Sequence, residues 1–246
     1  MKTRWLGMAM GLALAASAWT APAIEISEEL RLAIQGDLEA IEKDGTQMGD
    51  VMAALRETGA SYLPEIVAPV DVNKFQGMER RRIMSGVYLM DLTYATTFSQ
   101  REPAARYGQA VYQLLDQVGF PNPDLERRYR EALEQIDQPG GDERLRQLAE
   151  EQNKDPIWQD KLNTGNGVEL VADHLYGYLL EGLYLTVELC RLSNYDATSM
   201  MYVAYIRDSF QAYNKLLYRL GDSPELAMSV EKHDRLNFLA SILVIL

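Results

Sequence analysis

The sequence predicts an all-α protein, a single multi-helix bundle of about eight to ten helices. Apolar residues recur at spacings of three and four along nearly the whole chain. Caps, prolines and glycines interrupt that pattern at intervals of one helix length. Alternating apolar runs between Asn-Gly or Asp-Gly turns, the mark of hairpins, are absent from the sequence.

Composition narrows the function classes. Of 246 residues, 47% are hydrophobic and 24% charged, too apolar for a disordered chain and too charged for a multi-pass membrane protein. Acidic residues outnumber basic ones 36 to 24, a net charge of -12. That excludes a nucleic-acid binder relying on a basic surface. One cysteine excludes a disulfide scaffold and a Cys-rich zinc module. Cys190 falls late in an apolar helical pattern, away from any activating base, so a buried thiol is expected.

The N-terminus reads as a secretory signal peptide over residues 1–23. Lys2 and Arg4 precede a mostly apolar stretch, Trp5 to Ala18, and Ala21-Pro22-Ala23 or Ala16-Ser17-Ala18 supplies the cleavage pattern. The apolar run is short for a bilayer span. The expectation is a periplasmic or secreted chain with no membrane span after cleavage, and one helical domain over residues 24–246.

Ser27 caps the first expected helix, with Glu28 and Glu29 in its first turn and Leu30, Ile34, Leu38 and Ile41 on one face. Gly45 is read as its stop. A shorter helix follows to about Thr58, with Met48, Met52 and Leu55 as its stripe and Gly59 as its end. From Gly59 to Val72, Pro64 and Pro69 break the pattern. The segment is too Pro-rich for a helix and too apolar for a free linker, so it reads as an ordered crossover packed on the bundle. Asp71 or Asn73 is read as the cap of a long helix reaching Gln100.

Pro103 opens the next helix, with Val111, Leu114, Leu115 and Val118 inward and Gly119 and Pro121 ending it. Asp124 to Asp137 follows, with Leu125, Tyr129, Leu133 and Ile136 on one side. Residues 138–167 are polar and weakly anchored, by Leu145, Leu148, Trp158 and Leu162. Val168 to Leu192 is strongly helical and apolar on nearly every side, which predicts a central helix. Asp196 caps the next, which stops at Gly221. Ser223-Pro224-Glu225 opens a last helix whose apolar end, Leu239 to Leu246, reads as docked in the core or as a dimer contact.

Phosphate loops, G-x-S-x-G elbows, H-E-x-x-H and C-x-x-C-H are missing from the sequence. The candidate site residues are polar groups inside apolar helices. Asp91 has Tyr88 and Tyr94 three residues either side, which makes it a buried carboxylate in need of a partner. His174, Glu181 and Glu188 recur every seven residues, with Tyr178 in the same stripe. Two readings stand: a polar seam bonded to tyrosines, arginines or backbone, or a metal or ligand site in the bundle interior. The paired Glu-x-x-His motifs of di-metal bundles are missing, which favours the seam. Three consecutive arginines, Arg80 to Arg82, point in three directions on a helix, so one can face a carboxylate inside. Fourteen tyrosines suit either a hydrogen-bonded core or a ligand pocket. Gly86-Val87-Tyr88-Leu89 is echoed by Gly182-Leu183-Tyr184-Leu185, read as two central helices that need a small residue at a close crossing.

Ala60-Ser61-Tyr62 before the crossover, Gly86-Val87-Tyr88-x-x-Asp91-Leu92-x-Tyr94-Ala95, and Glu181-Gly182-Leu183-Tyr184 together resemble a group of uncharacterised exported all-helical bacterial proteins, many of them lipoproteins. The resemblance runs from about residue 45 to 220. It implies export and a helical fold, points at Asp91 and Glu181, and carries no activity. The lipobox cysteine of such lipoproteins is lacking here. The function expected is a non-enzymatic exported binding or interaction module for a protein or small molecule, with no cofactor. The alternative is a metal-binding bundle or an enzyme using buried Asp, His and Glu.

Overall fold

In the first helix, Ser27 Oγ accepts a hydrogen bond from the Leu30 amide at 3.3 Å, and the carboxylates of Glu28 and Glu29 sit in the positive first turn. From there the computed structural model describes residues 25–57, 60–135, 138–141, 143–145, 147, 148, 161–192, 194, 197–224 and 226. Among them six α-helices have defined bounds: α1 (Glu28–Glu57), α2 (Met78–Thr97), α3 (Arg101–Gln117), α4 (Pro123–Glu134), α5 (Gly165–Leu192) and α6 (Ala197–Asp222); residues 141, 143–145, 147 and 148 are helical as well. Two 3-10 turns, Pro64–Ile66 and Val72–Lys74, interrupt the crossover between α1 and α2. The described residues contain no strand, only an isolated bridge between Glu25 and Thr164. The signal segment, Ile136, Trp158, Asp196 and everything after Leu226, including Leu239 to Leu246, lie outside the described residues.

Two expected boundaries are corrected. Gly45 does not end a helix; α1 passes through it as one 30-residue element. A helical glycine costs about 1 kcal/mol relative to alanine, too little to stop a helix that does not also turn into a left-handed exit. Gly119, at φ 85, does make such an exit after α3. Nor do Asp71 and Asn73 start α2. They flank or join the 3-10 turn, and Gly77, at φ 88, reverses the chain before α2 begins at Met78.

α4 is capped as its sequence dictates, by Asn122 Oδ1 accepting from the Leu125 amide at 3.1 Å, with Pro123 next. α5 starts three residues earlier than expected, because Thr164 Oγ1 accepts from the Gly167 amide at 3.2 Å.

α2 separates two apolar cores. Met90, Tyr94 and Phe98 point to a core shared with α1, α5 and α6. Val87, Tyr88, Leu89, Leu92 and Ala95 point to a second core shared with α3 and α4, which also takes Leu145, Leu148 and Leu170. The expected central place of α2 is what the fold shows. α5 is buried along its length through Val171, Leu179, Leu185 and Leu189, although Tyr184 and Val187 in its second half are exposed. The polar stretch after α4 holds on through Leu145 and Leu148, both buried, and Leu162 is buried in the first core. Cys190 is buried, as expected.

α2 and α5 run parallel and close. Their contacts advance together, from Arg82 with Glu169 and Asp173 to Ser85 with His174. A Cβ on Gly86 would overlap the His174 carbonyl, and one on Gly177 would overlap the Ile83 carbonyl. The two glycines therefore let the backbones touch. The close crossing expected at Gly86 is present, and its partner glycine is Gly177, which the echo around Gly182 did not single out.

α1 and α6 clasp through the buried carboxylate of Asp37. Lys215 Nζ lies 3.1 Å and Arg219 Nε 2.6 Å from it. α4 packs on α3 where the Tyr129 ring covers Gly108.

Candidate functional site: the polar junction beneath the crossover

Residues 60–77 between α1 and α2 hold no α-helix, and their two prolines offer no amide. The remaining backbone groups need partners, since buried ones left unpaired are costly. α2 and α3 supply them. Tyr94 Oη accepts from the Leu63 amide at 3.2 Å. Asp91 Oδ2 accepts from the Ala68 amide at 3.1 Å. Tyr88 Oη accepts from the Asp71 amide and donates to the Pro69 carbonyl, both at 3.1 Å. From α3, Tyr107 Oη donates to the Ala68 carbonyl at 2.7 Å. Steps of three residues drift about 60° around a helix. Tyr88, Asp91 and Tyr94 thus form a slanting row that follows the crossover as it passes.

Asp91 is fully buried, at 0% exposure. Its second oxygen, Oδ1, has no hydrogen-bond donor, and neither does the buried Oε1 of half-buried Glu181 on α5. The two carboxyls act directly on each other. Burial first, then the charge of Glu181, pushes the Asp91 carboxyl well above the ordinary carboxylate range. Burial also raises Glu181. Around them stand tyrosines. The Tyr62 hydroxyl, without a partner, is pushed up to about 12 by burial and then by the charge of Asp91. Tyr107 is raised by burial and by the same carboxylate, while the Arg106 charge opposes this. Tyr62 and Tyr94 stack with ring centroids 5.1 Å apart.

The other candidates lie elsewhere. His174 is buried, with Nδ1 2.7 Å from Ser85 Oγ. The Ser85 hydroxyl donates to the Arg82 carbonyl at 2.6 Å, so ring Nδ1 carries the proton and donates to Ser85. Burial lowers the His174 pKa to about 4, so the ring is neutral at pH 7. Tyr178 sits partly buried, in hydrogen-bonding contact with Thr93. Glu188, only partly exposed, pairs with Arg191 on its own helix at 2.7 Å. The every-seven stripe therefore splits. Glu181 meets Asp91, His174 meets Ser85, and Glu188 leaves the junction. Among the described residues, no three His, Cys, Asp or Glu side chains are grouped as metal ligands.

Of the three arginines, Arg80 is exposed, Arg81 Nε donates to the Phe75 carbonyl at 3.3 Å, and Arg82 faces inward. Arg82 Nη1 reaches Glu169 at 3.0 Å and buried Asp173 at 3.4 Å. Three participants were not singled out from the sequence. Asp37 continues the Ile34 and Ile41 stripe by three and four residues. Tyr107 continues that of Val111 and Leu114, so spacing marks both as inward. Asp173 has no such signal, because almost every face of α5 is apolar. No protein-family model, no curated protein and no solved structure matches this chain.

Proposed function

We propose that this chain is an exported, non-enzymatic helical module that binds another macromolecule through the open end of α5 and the first turn of α6. One observation carries the reading. Tyr184, Val187, Leu192 and Met200 are 47%, 41%, 49% and 47% exposed, three of them in the last turns of α5 and one in the first turn of α6. On α5 the first three fall within an arc of about 140°. Apolar side chains exposed singly are ordinary, whereas a gathered set marks an interaction surface. The buried polar groups support the same reading, since Tyr88, Asp91, Tyr94, Tyr107 and His174 are spent on backbone and core contacts. Export rests on the basic n-region, the apolar stretch and the small-residue cleavage pattern.

A photo-crosslinking residue at position 184, in the exporting cell, tests this. Position 131 on α4, also exposed, is the control. A defined crosslinked species from 184 alone, lost with Val187→Asp, is the expected result. No product from 184, or the same product from both positions, rejects the reading.

A further inference from the structure

Asp91 and Glu181 project from helices whose backbones Gly86 and Gly177 bring into contact. Each presents a buried oxygen without a donor, Oδ1 and Oε1. Asp91 Oδ2 is already taken by the Ala68 amide of the crossover. Two ionised carboxylates have only acceptors to offer each other. Both oxygens would stay unpaired and two like charges would face across a low-dielectric junction. One proton removes both defects: the protonated carboxyl donates to its neighbour, and the pair carries a single charge.

Among the described residues, groups from three elements act on this pair. The crossover contributes the Tyr62 hydroxyl and the Ala68 amide. α2 contributes Tyr88 and Tyr94, whose hydroxyls are raised by burial first, with the charges of Asp71 and Asp91 adding at Tyr88 and those of Glu65 and Asp91 at Tyr94. α3 contributes Tyr107 and, farther out, Arg106, whose charge reaches Tyr62 and Tyr107. Among the described residues neither carboxyl has an ion pair, so a cation does not substitute for the proton.

We propose that Asp91 and Glu181 hold one shared proton that completes the α2–α5 junction, and that its loss releases the crossover, which works as a proton-controlled strap. The coupling is mechanical. Asp91 is the acceptor for the Ala68 amide, and Tyr107 holds the Ala68 carbonyl, so the same peptide region senses both α2 and α3. A doubly ionised pair is driven apart toward water, and Asp91 leaves Ala68. Opening lets both carboxyls ionise and so releases a proton. The open form therefore gains as pH rises through the raised carboxyl range.

Amide hydrogen exchange of the intact chain, followed from weakly acidic to weakly alkaline pH, reads the strap directly. After correction for intrinsic base catalysis, protection of the Ala68 amide should fall by up to ~10-fold per pH unit, the limit for one linked proton. Glu181→Gln places a permanent N–H donor where the proton sits, and its Ala68 protection should not vary with pH. Infrared spectra of the wild type should show a protonated carboxyl at about pH 6.5, where ordinary carboxyls are ionised. Glu181→Gln should lack it. Wild-type protection that does not change with pH overturns the strap, as does a Glu181→Gln protein with the wild-type dependence. Should that variant fail to fold, the wild-type infrared spectrum still decides, because no protonated carboxyl means no shared proton. A divalent ion bound to the protein as isolated and lost in Asp91→Asn also overturns it.

Discussion

Replacing one hydrogen by a methyl group at Gly86 should unlock the α2–α5 contact. The new Cβ would overlap the carbonyl oxygen and carbon of His174 and crowd the Tyr178 amide, all of them backbone atoms. No side-chain rotation relieves such a clash, so the helices must move apart along their length. Overpacking of this kind costs ~1–3 kcal/mol, and backbone against backbone belongs at the upper end. Alanine returns about 1 kcal/mol through its better helix propensity. The net loss for Gly86→Ala is then about 2 kcal/mol. For a chain of this size that lowers Tm by roughly 4–8 °C, at about 2–4 °C per kcal/mol. Gly36 on α1 provides the control, since a Cβ there meets nothing within 4 Å. Gly36→Ala should keep the propensity gain and raise stability by up to about 1 kcal/mol. Urea titration of the two variants beside wild type measures both. The same chemical change should shift the midpoint in opposite directions. A Gly86→Ala protein as stable as Gly36→Ala would refute the close crossing.

At Asp91, asparagine keeps an oxygen for the Ala68 amide, whereas leucine leaves that amide without a partner. Asp91→Leu should therefore cost ~1–3 kcal/mol more than Asp91→Asn in thermal or urea melting, with no response to chelator; equal costs would mean that Ala68 is satisfied some other way. His174 predicts a pH dependence whose sign is opposite to that of the strap. The unfolded ring takes its proton near 6.5 and the folded ring only at about 4. Between these values the unfolded state binds more protons, so stability falls as pH falls, by up to ~3 kcal/mol at 1.36 kcal/mol per unit. His174→Gln should flatten urea stability across that window, and an unchanged slope would show that another group titrates there.

Helical periodicity made most of this fold legible, because each helix needs an apolar stripe and the stripes were unbroken. The start of α2 was misread because Asp71 and Asn73 are good cap residues locally, while the deciding feature, the positive φ of Gly77, depends on how the crossover reaches the bundle. At the candidate site, the burial of Asp91 followed from its helical neighbours, Tyr88 and Tyr94. Its partner in the crossover did not, since a backbone amide 23 residues upstream leaves no trace in side-chain spacing. The seven-residue stripe of His174, Glu181 and Glu188 was real as a face of α5 but not as a site. A straight helix drifts relative to a strict seven-residue repeat. Farther along α5, Glu188 is taken by Arg191 of its own helix.

The parallel course of α2 and α5 also bears on how the chain reaches its native state. Parallel neighbours cannot be joined by a tight turn, so the intervening α3, α4 and polar segment form one long return loop. The bonds that hold the crossover to α2 and α3 close loops of only 17 to 39 residues. The Ser85–His174 bond closes 89, and the Asp37–Arg219 clasp 182. Loop-closure entropy rises only with the logarithm of length, but search times lengthen with sequence separation. The crossover, α2 and α3 are therefore the natural nucleus, and α5 with α6 arrives as late cargo. Glu181 reaches Asp91 only at that late stage. Substitutions at the seam where Gly86 meets His174 should therefore speed unfolding more than they slow refolding.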